Sequence, residues 1–287
     1  MPKAKTAFAR AKAVYDTTLS WRFSNKLMKR QYGVDARPET AANVAGDYHF
    51  SRDDQRRTAL ASQSTAVAAQ KSIFLTQKIT LVTAVQKKEP PVVVSQDEHP
   101  RAPAAASQAK LKGQVRLDGT VTSGNASGMN DGAGALLLAN EAPAARNGPT
   151  PKARIVGMAT AGVAPSIIGI GPAPAVQKVL VPTGLTRAQM DVVELNKAFA
   201  AQCLAGLRQF GIADDDACVN PNGGAIAWGH PRRASGGWLV TTAVNQLHKT
   251  AGCFALRTVC IGVGQGSVVS GQWSVVSGQW SVYCPDG

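Results

Sequence analysis

The chain has 287 residues, 44% of them hydrophobic and 6% aromatic, which suffices for one large or two modest cores and excludes a disordered chain. Its formal net charge of +13 raises nucleic acid as a partner, yet the 31 lysines and arginines are scattered and no aromatic platform interleaves them. No apolar run approaches a membrane span and no charged-then-apolar leader is legible, so neither nucleic acid nor a membrane is expected as a partner. The five cysteines show neither CxxC pairing nor a disulfide-rich spacing. That pattern predicts no metal site and a reducing, cytoplasmic setting.

In chain order, residues 1–119 alternate amphipathic, basic helical patterns with short strand-like pieces. Helices are predicted over 39–47 and over the alanine-rich 58–69, the second with Gln63 and Gln70 on its polar face. Residues 79–83 and 92–94 are candidate strands; Lys87-Lys88-Glu89-Pro90-Pro91 between them fits no central strand. Residues 100–106 read as a surface loop, and 132–145, small and apolar at helical spacing, as a helix that packs on a sheet. From there the pattern gives a strand at 155–158, a helix at 174–180, a buried strand at 192–195, helices at 198–209 and 236–249, and a strand at 258–260. This order predicts an α/β sheet with helices on its faces. The segment Val268 to Ser274 recurs unchanged as Val275 to Ser281, and two copies are too few to build a repeat surface. The stretch 269–287 is therefore expected to be an aberrant duplicated tail, with an edge hairpin as the alternative.

Three polar groups fall at the ends of apolar runs. His230 sits in the turn Gly229-His230-Pro231, Cys260 leads the glycine loop to Gly266, and Asn196 follows the strand at 192–195. Such junctions are where open α/β sheets gather site residues, and the glycines let backbone approach a ligand. Each residue also has a plainer reading. Cys260 is a small buried hydrophobe, His230 a solvated turn histidine, Asn196 an N-cap for the helix after it. His248 lies on a helix face without a motif and is assigned no role.

The blocks Asn196-Lys197-Ala198-Phe199, Gly223 to Pro231 and Cys260 to Gly266 occur in the order in which thiolases carry theirs, and the chain resembles that family of acyl-CoA acyltransferases. A fourth block, Thr122 to Gly132, is similar to the family's glycine turn beside the pantetheine arm of CoA. Tyr15-Asp16-Thr17-Thr18, Trp21-Arg22-Phe23 and Gly157 to Val163 are most similar to the 3-oxoadipyl-CoA thiolases of aromatic-compound degradation.

The resemblance implies a layered α/β/α fold composed of a C-terminal half plus a loop domain, with most of the N-terminal half missing. The implied division is a loop domain over 1–119, a remnant of the N-terminal half over 120–148 and a C-terminal domain over 149–268. It implies thiolytic cleavage of a 3-oxoacyl-CoA, with CoA and acyl-CoA as substrates and no covalent cofactor. In that chemistry Cys260 is the acid/base at the α-carbon, His230 activates the acyl-carrying thiol and lines an oxyanion hole, and Asn196 positions a water. Ser127, Phe199, Ala198 and Gly262 match positions along the CoA arm; the plainer readings are a turn hydroxyl for Ser127 and a core aromatic for Phe199. The missing half is expected to remove the acyl-carrying cysteine and leave the chain inactive alone; the alternative is a non-catalytic CoA-binding remnant or pseudogene product. Family members form homo-oligomers, whereas the state of this chain is left open. Departures are Lys197 in place of a glutamate, Arg232-Arg233 in place of a small or apolar pair, and Gly237-Trp238 in place of Ala-Arg.

Overall fold

In the computed structural model, which describes residues 26–76, 78–102, 105–147, 150–261 and 265–272, three helices come first: α1 (Lys26–Tyr32), α2 (Arg37–Asp47) and α3 (Arg52–Lys71). Helix α3 starts six residues before its alanine-rich stretch because Ser51 and Asp54 form a reciprocal capping box. Strands β1 (Val82–Ala84) and β2 (Val92–Val94) pair antiparallel, and the proline-containing segment turns between them. Two short helices follow, α4 (Ala105–Ala109) and α5 (Glu141–Asn147).

The remaining elements alternate as the sequence pattern predicts. They are β3 (Arg154–Gly162), α6 (Pro172–Thr183), β4 (Val192–Leu195), α7 (Ala200–Gln209), α8 (Ala225–Trp228), α9 (Ser235–Thr250), β5 (Phe254–Ile261) and β6 (Gln265–Gln272). The sheet order is β3-β6-β5-β4, with β4 and β5 parallel and the other pairs antiparallel.

Alternation along the strands separates two cores. Val193, Leu195, Leu256 and Val268 face α6 and α7, meeting Val176, Val179, Cys203 and Leu207. Val192 and Ala255 face the other way, onto Ala243 and Leu247 of α9. The sheet thus has helices on both faces, and both faces of β4 are buried, as a parallel strand requires. A further layer lies outside α7, where Val44, Ala45 and Phe50 pack on Ala201, Leu204 and Ala205. Ala59 of α3 meets Ala200 and Ile226. Among the described residues no helix is long and apolar enough to cross a membrane.

Four local expectations need correction. Residues 132–140 are not helical, and Leu137 and Leu138 are 85% and 70% exposed. This stretch starts as a strap along the His230 turn: the His230 N–H donates to the Gly128 carbonyl, and a Cβ on Gly132 would stand 2.8 Å from Pro231 Cβ. Cys260 is not on a loop but in β5, opposite Gly266 of β6, because the antiparallel ladder of these strands runs through Ile261 and Gln265. Asn196 does not cap α7; the helix starts at Ala200 after an extended Phe199, and the Asn125 carbonyl receives the Ala200 N–H. Residues 269–272 belong to β6, since its ladder continues to Gln272 opposite Arg154 and Phe254. The second copy of the repeat and Gly262 lie outside the described residues.

If α2 and α3 are part of one cooperative core with the sheet, truncating the 1% exposed Leu204 between them destabilises the whole. Leu204→Ala is expected to cost about 2–5 kcal/mol in urea unfolding, with a single transition retained.

Candidate active site

Parallel pairing sets the site. Leu195 stands opposite Thr258 at the end of β4, and the next N–H, from Asn196, donates to the Thr258 carbonyl at 3.0 Å. Asn196 and Cys260 therefore leave the same end of neighbouring strands. His230 arrives from the turn after α8, where Gly229 has a φ of 80° and a Cβ would run into the Asn130 amide. Opposite lies the 125–128 segment, tied to the start of α7 by a Ser127 N–H to Ala198 carbonyl bond of 2.8 Å and an Ala126–Phe199 bridge.

These pieces enclose a cavity of about 180 Å³ whose wall includes Cys260, His230, Ser127, Ala198 and Phe199. Asn196 stands just behind, with its Nδ2 3.4 Å from His230 Nε2. The amide is 5% exposed, and its Oδ1 is buried without a protein partner, an acceptor available to a water. Among the described residues Cys260 is the one thiol in the wall; Cys203 is in the core of α7.

Ser235, passed over in the sequence as part of a glycine turn, orients the imidazole. Its hydroxyl donates to the Pro231 carbonyl at 3.0 Å and sits 2.7 Å from His230 Nδ1. A hydroxyl proton spent on a carbonyl leaves the oxygen to accept, so the network assigns the neutral ring a proton on Nδ1 and a lone pair on Nε2. Burial, with Arg37 and Arg232 adding repulsion, pushes the His230 pKa down to about 4. Burial also raises the Cys260 thiol above its ordinary range, against the pull of Arg37. Both groups are thus neutral near pH 7.

Further wall residues went unread in the sequence for this role, among them Arg37, Gln202 and Arg232. Arg37 had a signal. It occupies the first position of α2, where a cation opposes the helix dipole, so the helix gives no reason for it. Arg232 was noticed only as a departure from a pattern. Of the other departures, Lys197 is 7% exposed with its stem across Gly224, and Trp238 lies under the Lys78 ammonium, 5.8 Å from the ring centre. Among the described residues no group of three His, Cys, Asp or Glu side chains is arranged to hold a metal ion.

Comparison with known proteins gives two adjoining family matches, the N-terminal domain of thiolase over residues 10–142 and the C-terminal domain over 149–271. The chain is 51% identical to the beta-ketoadipyl-CoA thiolase of Acinetobacter baylyi, over 93% of this chain and 67% of that one. The enzyme of the same name from Pseudomonas knackmussii is 54% identical over 93% of this chain and 66% of its own length. Among solved structures, the acetyl-CoA acetyltransferase of Bacillus anthracis superposes with a TM-score of 0.80 at 38% identity, covering 83% of this chain and 60% of that one. The chain spans about two thirds of the length of the curated relatives it matches. Sequence of both domains is represented, so the expectation that most of the N-terminal half is missing, with inactivity as its result, finds no support.

The imidazole also predicts a pH dependence of stability. As pH falls below about 6.5 the unfolded chain takes up a proton that folded His230 refuses until about 4, so stability present above this window is lost through it. Urea unfolding at pH 7 and pH 4.5 should show a smaller loss for His230→Gln than for the wild type, with a difference of up to roughly 3 kcal/mol.

Proposed function

The chain belongs to the thiolase family of acyltransferases, and we propose that it cleaves 3-oxoadipyl-CoA with CoA, giving succinyl-CoA and acetyl-CoA. The names of the relatives at 51% and 54% identity support this acyl chain. The observation that carries the reading is the convergence of Cys260, His230, Ser127, Ala198 and Phe199 on one cavity, with Asn196 hydrogen-bonded to the ring.

A raised thiol pKa suits the cleavage direction. When the carbon–carbon bond breaks, its electron pair passes to the acetyl thioester as an enolate, and the Cys260 thiol gives its proton to the α-carbon. The thiolate left behind takes the proton of the incoming CoA, whose sulfur attacks the acyl carbon and breaks its thioester bond to the acyl-accepting thiol, which leaves with the proton held by His230. In the first step His230 gives up its 3.4 Å contact with Asn196 Nδ2, takes the proton of the acyl-accepting thiol on Nε2 as that sulfur attacks the 3-oxo carbon, and donates the N–H to the developing oxyanion. Asn196 holds the water that is the other donor. Ser127, Ala198 and Phe199 form the wall along the pantetheine arm. Because Cys260 is the one described thiol in the wall, a second reading is a CoA-binding protein that transfers no acyl group.

One partial reaction separates these readings without needing a second thiol. In heavy water the chain is expected to exchange the α-hydrogens of acetyl-CoA for deuterium, and Cys260→Ser to slow this by about 100-fold or more, measured by mass spectrometry. Exchange at the uncatalysed rate with saturable CoA binding would favour the second reading.

A further inference from the structure

The short helix α8, which delivers His230, ends with two carbonyls that its own backbone does not satisfy. In a continuing helix the Ile226 carbonyl would accept from the N–H of residue 230 and the Ala227 carbonyl from that of residue 231. The His230 N–H is spent instead on the Gly128 carbonyl at 2.8 Å, and Pro231 has no N–H to give. Ile226 and Ala227 are both buried, so their carbonyls need other donors.

Both donors are side chains from the chain ahead of β3. Gln63 of α3 donates through Nε2 to the Ile226 carbonyl at 3.2 Å, and His99, in the segment after β2, meets the Ala227 carbonyl with Nδ1 at 2.6 Å. A carbonyl only accepts, so this bond assigns a proton of the His99 ring to Nδ1. The other ring nitrogen lies against Gly128, where a Cβ would stand 2.5 Å from His99 Nε2. His99 thus touches both anchors of the His230 turn: the end of α8 before it, and the glycine whose carbonyl holds its N–H.

The ring is itself held in place. The His99 N–H donates to Asp97 Oδ1 at 2.8 Å, and the Arg101 N–H donates to Gln63 Oε1 at 2.9 Å, so the two capping side chains belong to one knot. His99 is half-buried and is not part of the cavity wall, so any effect it has on the reaction passes through His230. In the proposed reaction Nε2 of His230 must meet first a thiol and then an oxyanion, a geometry that tolerates displacements of only about half an ångström.

We propose that His99 is a positioning residue for His230: its Nδ1–H caps the end of α8 and its ring backs Gly128, and together these contacts fix where the imidazole stands. The inference rests on the acyl-transfer reading above for its kinetic consequence, whereas the placement of the imidazole can be read without it.

The test uses the full chain and three variants. His99→Ala removes both the donor and the ring. In His99→Asn the amide nitrogen falls where Nδ1 stood, and in His99→Gln it falls where Nε2 stood, so of these two only the Asn variant restores the bond to the Ala227 carbonyl. The Asn and Gln pair keeps the test decisive if His99→Ala does not fold. The first readout is the pKa of the His230 imidazole in the folded protein, followed by NMR. Burial holds it at about 4, and a loosened turn admits water. It should therefore rise by about one pH unit or more in the Ala and Gln variants and stay at the wild-type value in the Asn variant. The second readout is thiolysis of 3-oxoadipyl-CoA. Here kcat should fall about tenfold in the Ala and Gln variants, with KM for CoA within about twofold of wild type, and the Asn variant should recover to within about threefold. A His230 pKa that does not move in the Ala and Gln variants, or a kcat that falls equally in all three, overturns the proposal. Wild-type protein without thiolysis would instead remove the acyl-transfer reading, and the pKa readout would then decide by itself whether His99 places the imidazole.

Discussion

The parallel pairing of β4 with β5 is the constraint on which the site depends. Parallel neighbours end at the same edge, so the residue after β4 and the last residues of β5 are delivered side by side without any loop having to carry them there. The cost is that β4 must be buried on both faces, and the chain meets it by placing Val193 and Leu195 on one core and Val192 on the other. Slipping β4 by one residue would exchange these faces and carry Asn196 away from the ring of His230.

The odd residue in that strand is Glu194, fully buried. Burial raises its carboxyl above the ordinary range, while Lys78, whose ammonium burial lowers, pulls the other way. The carboxyl accepts from Asn220 Nδ2 at 2.9 Å, and the backbone around Asn220 hydrogen-bonds to both sides of Val193. A strand residue thereby fixes the origin of the loop that leads through α8 to His230. The polar interior of this protein is thus not confined to the cavity; part of it aims the segment that delivers the imidazole.

Much of this was legible in the sequence, for identifiable reasons. Strand 192–195 was readable because Val192, Val193 and Leu195 form a short, mostly apolar stretch bounded by polar residues, and α7 and α9 because their apolar positions recur with helical spacing. The glycine blocks marked the turn that carries His230 and the end of the strand that carries Cys260. Failures came where tertiary contacts override local preference. Residues 132–140 carry helical spacing, but the strap begins in close contact between Gly132 and Pro231, which no spacing rule contains. Ser235 was invisible as a site residue because it reaches the ring across a turn, and Arg37, despite its odd place at a helix start, because its helix lies about two hundred residues away in sequence.

The electrostatics of the cavity push an acid and a base in opposite directions to the same end. Burial raises the thiol of Cys260 and lowers the imidazole of His230, so each rests in its uncharged form. An ion pair between them would have to be desolvated again each time an acyl thioester entered, whereas a neutral pair admits an apolar chain at little electrostatic cost. In the proposed reaction charge appears only when a bond breaks, at the oxyanion and the enolate, which is where stabilisation lowers a barrier instead of deepening the bound state. On this view Arg37 has a double effect. Its charge weakens His230 as a base and strengthens Cys260 as an acid.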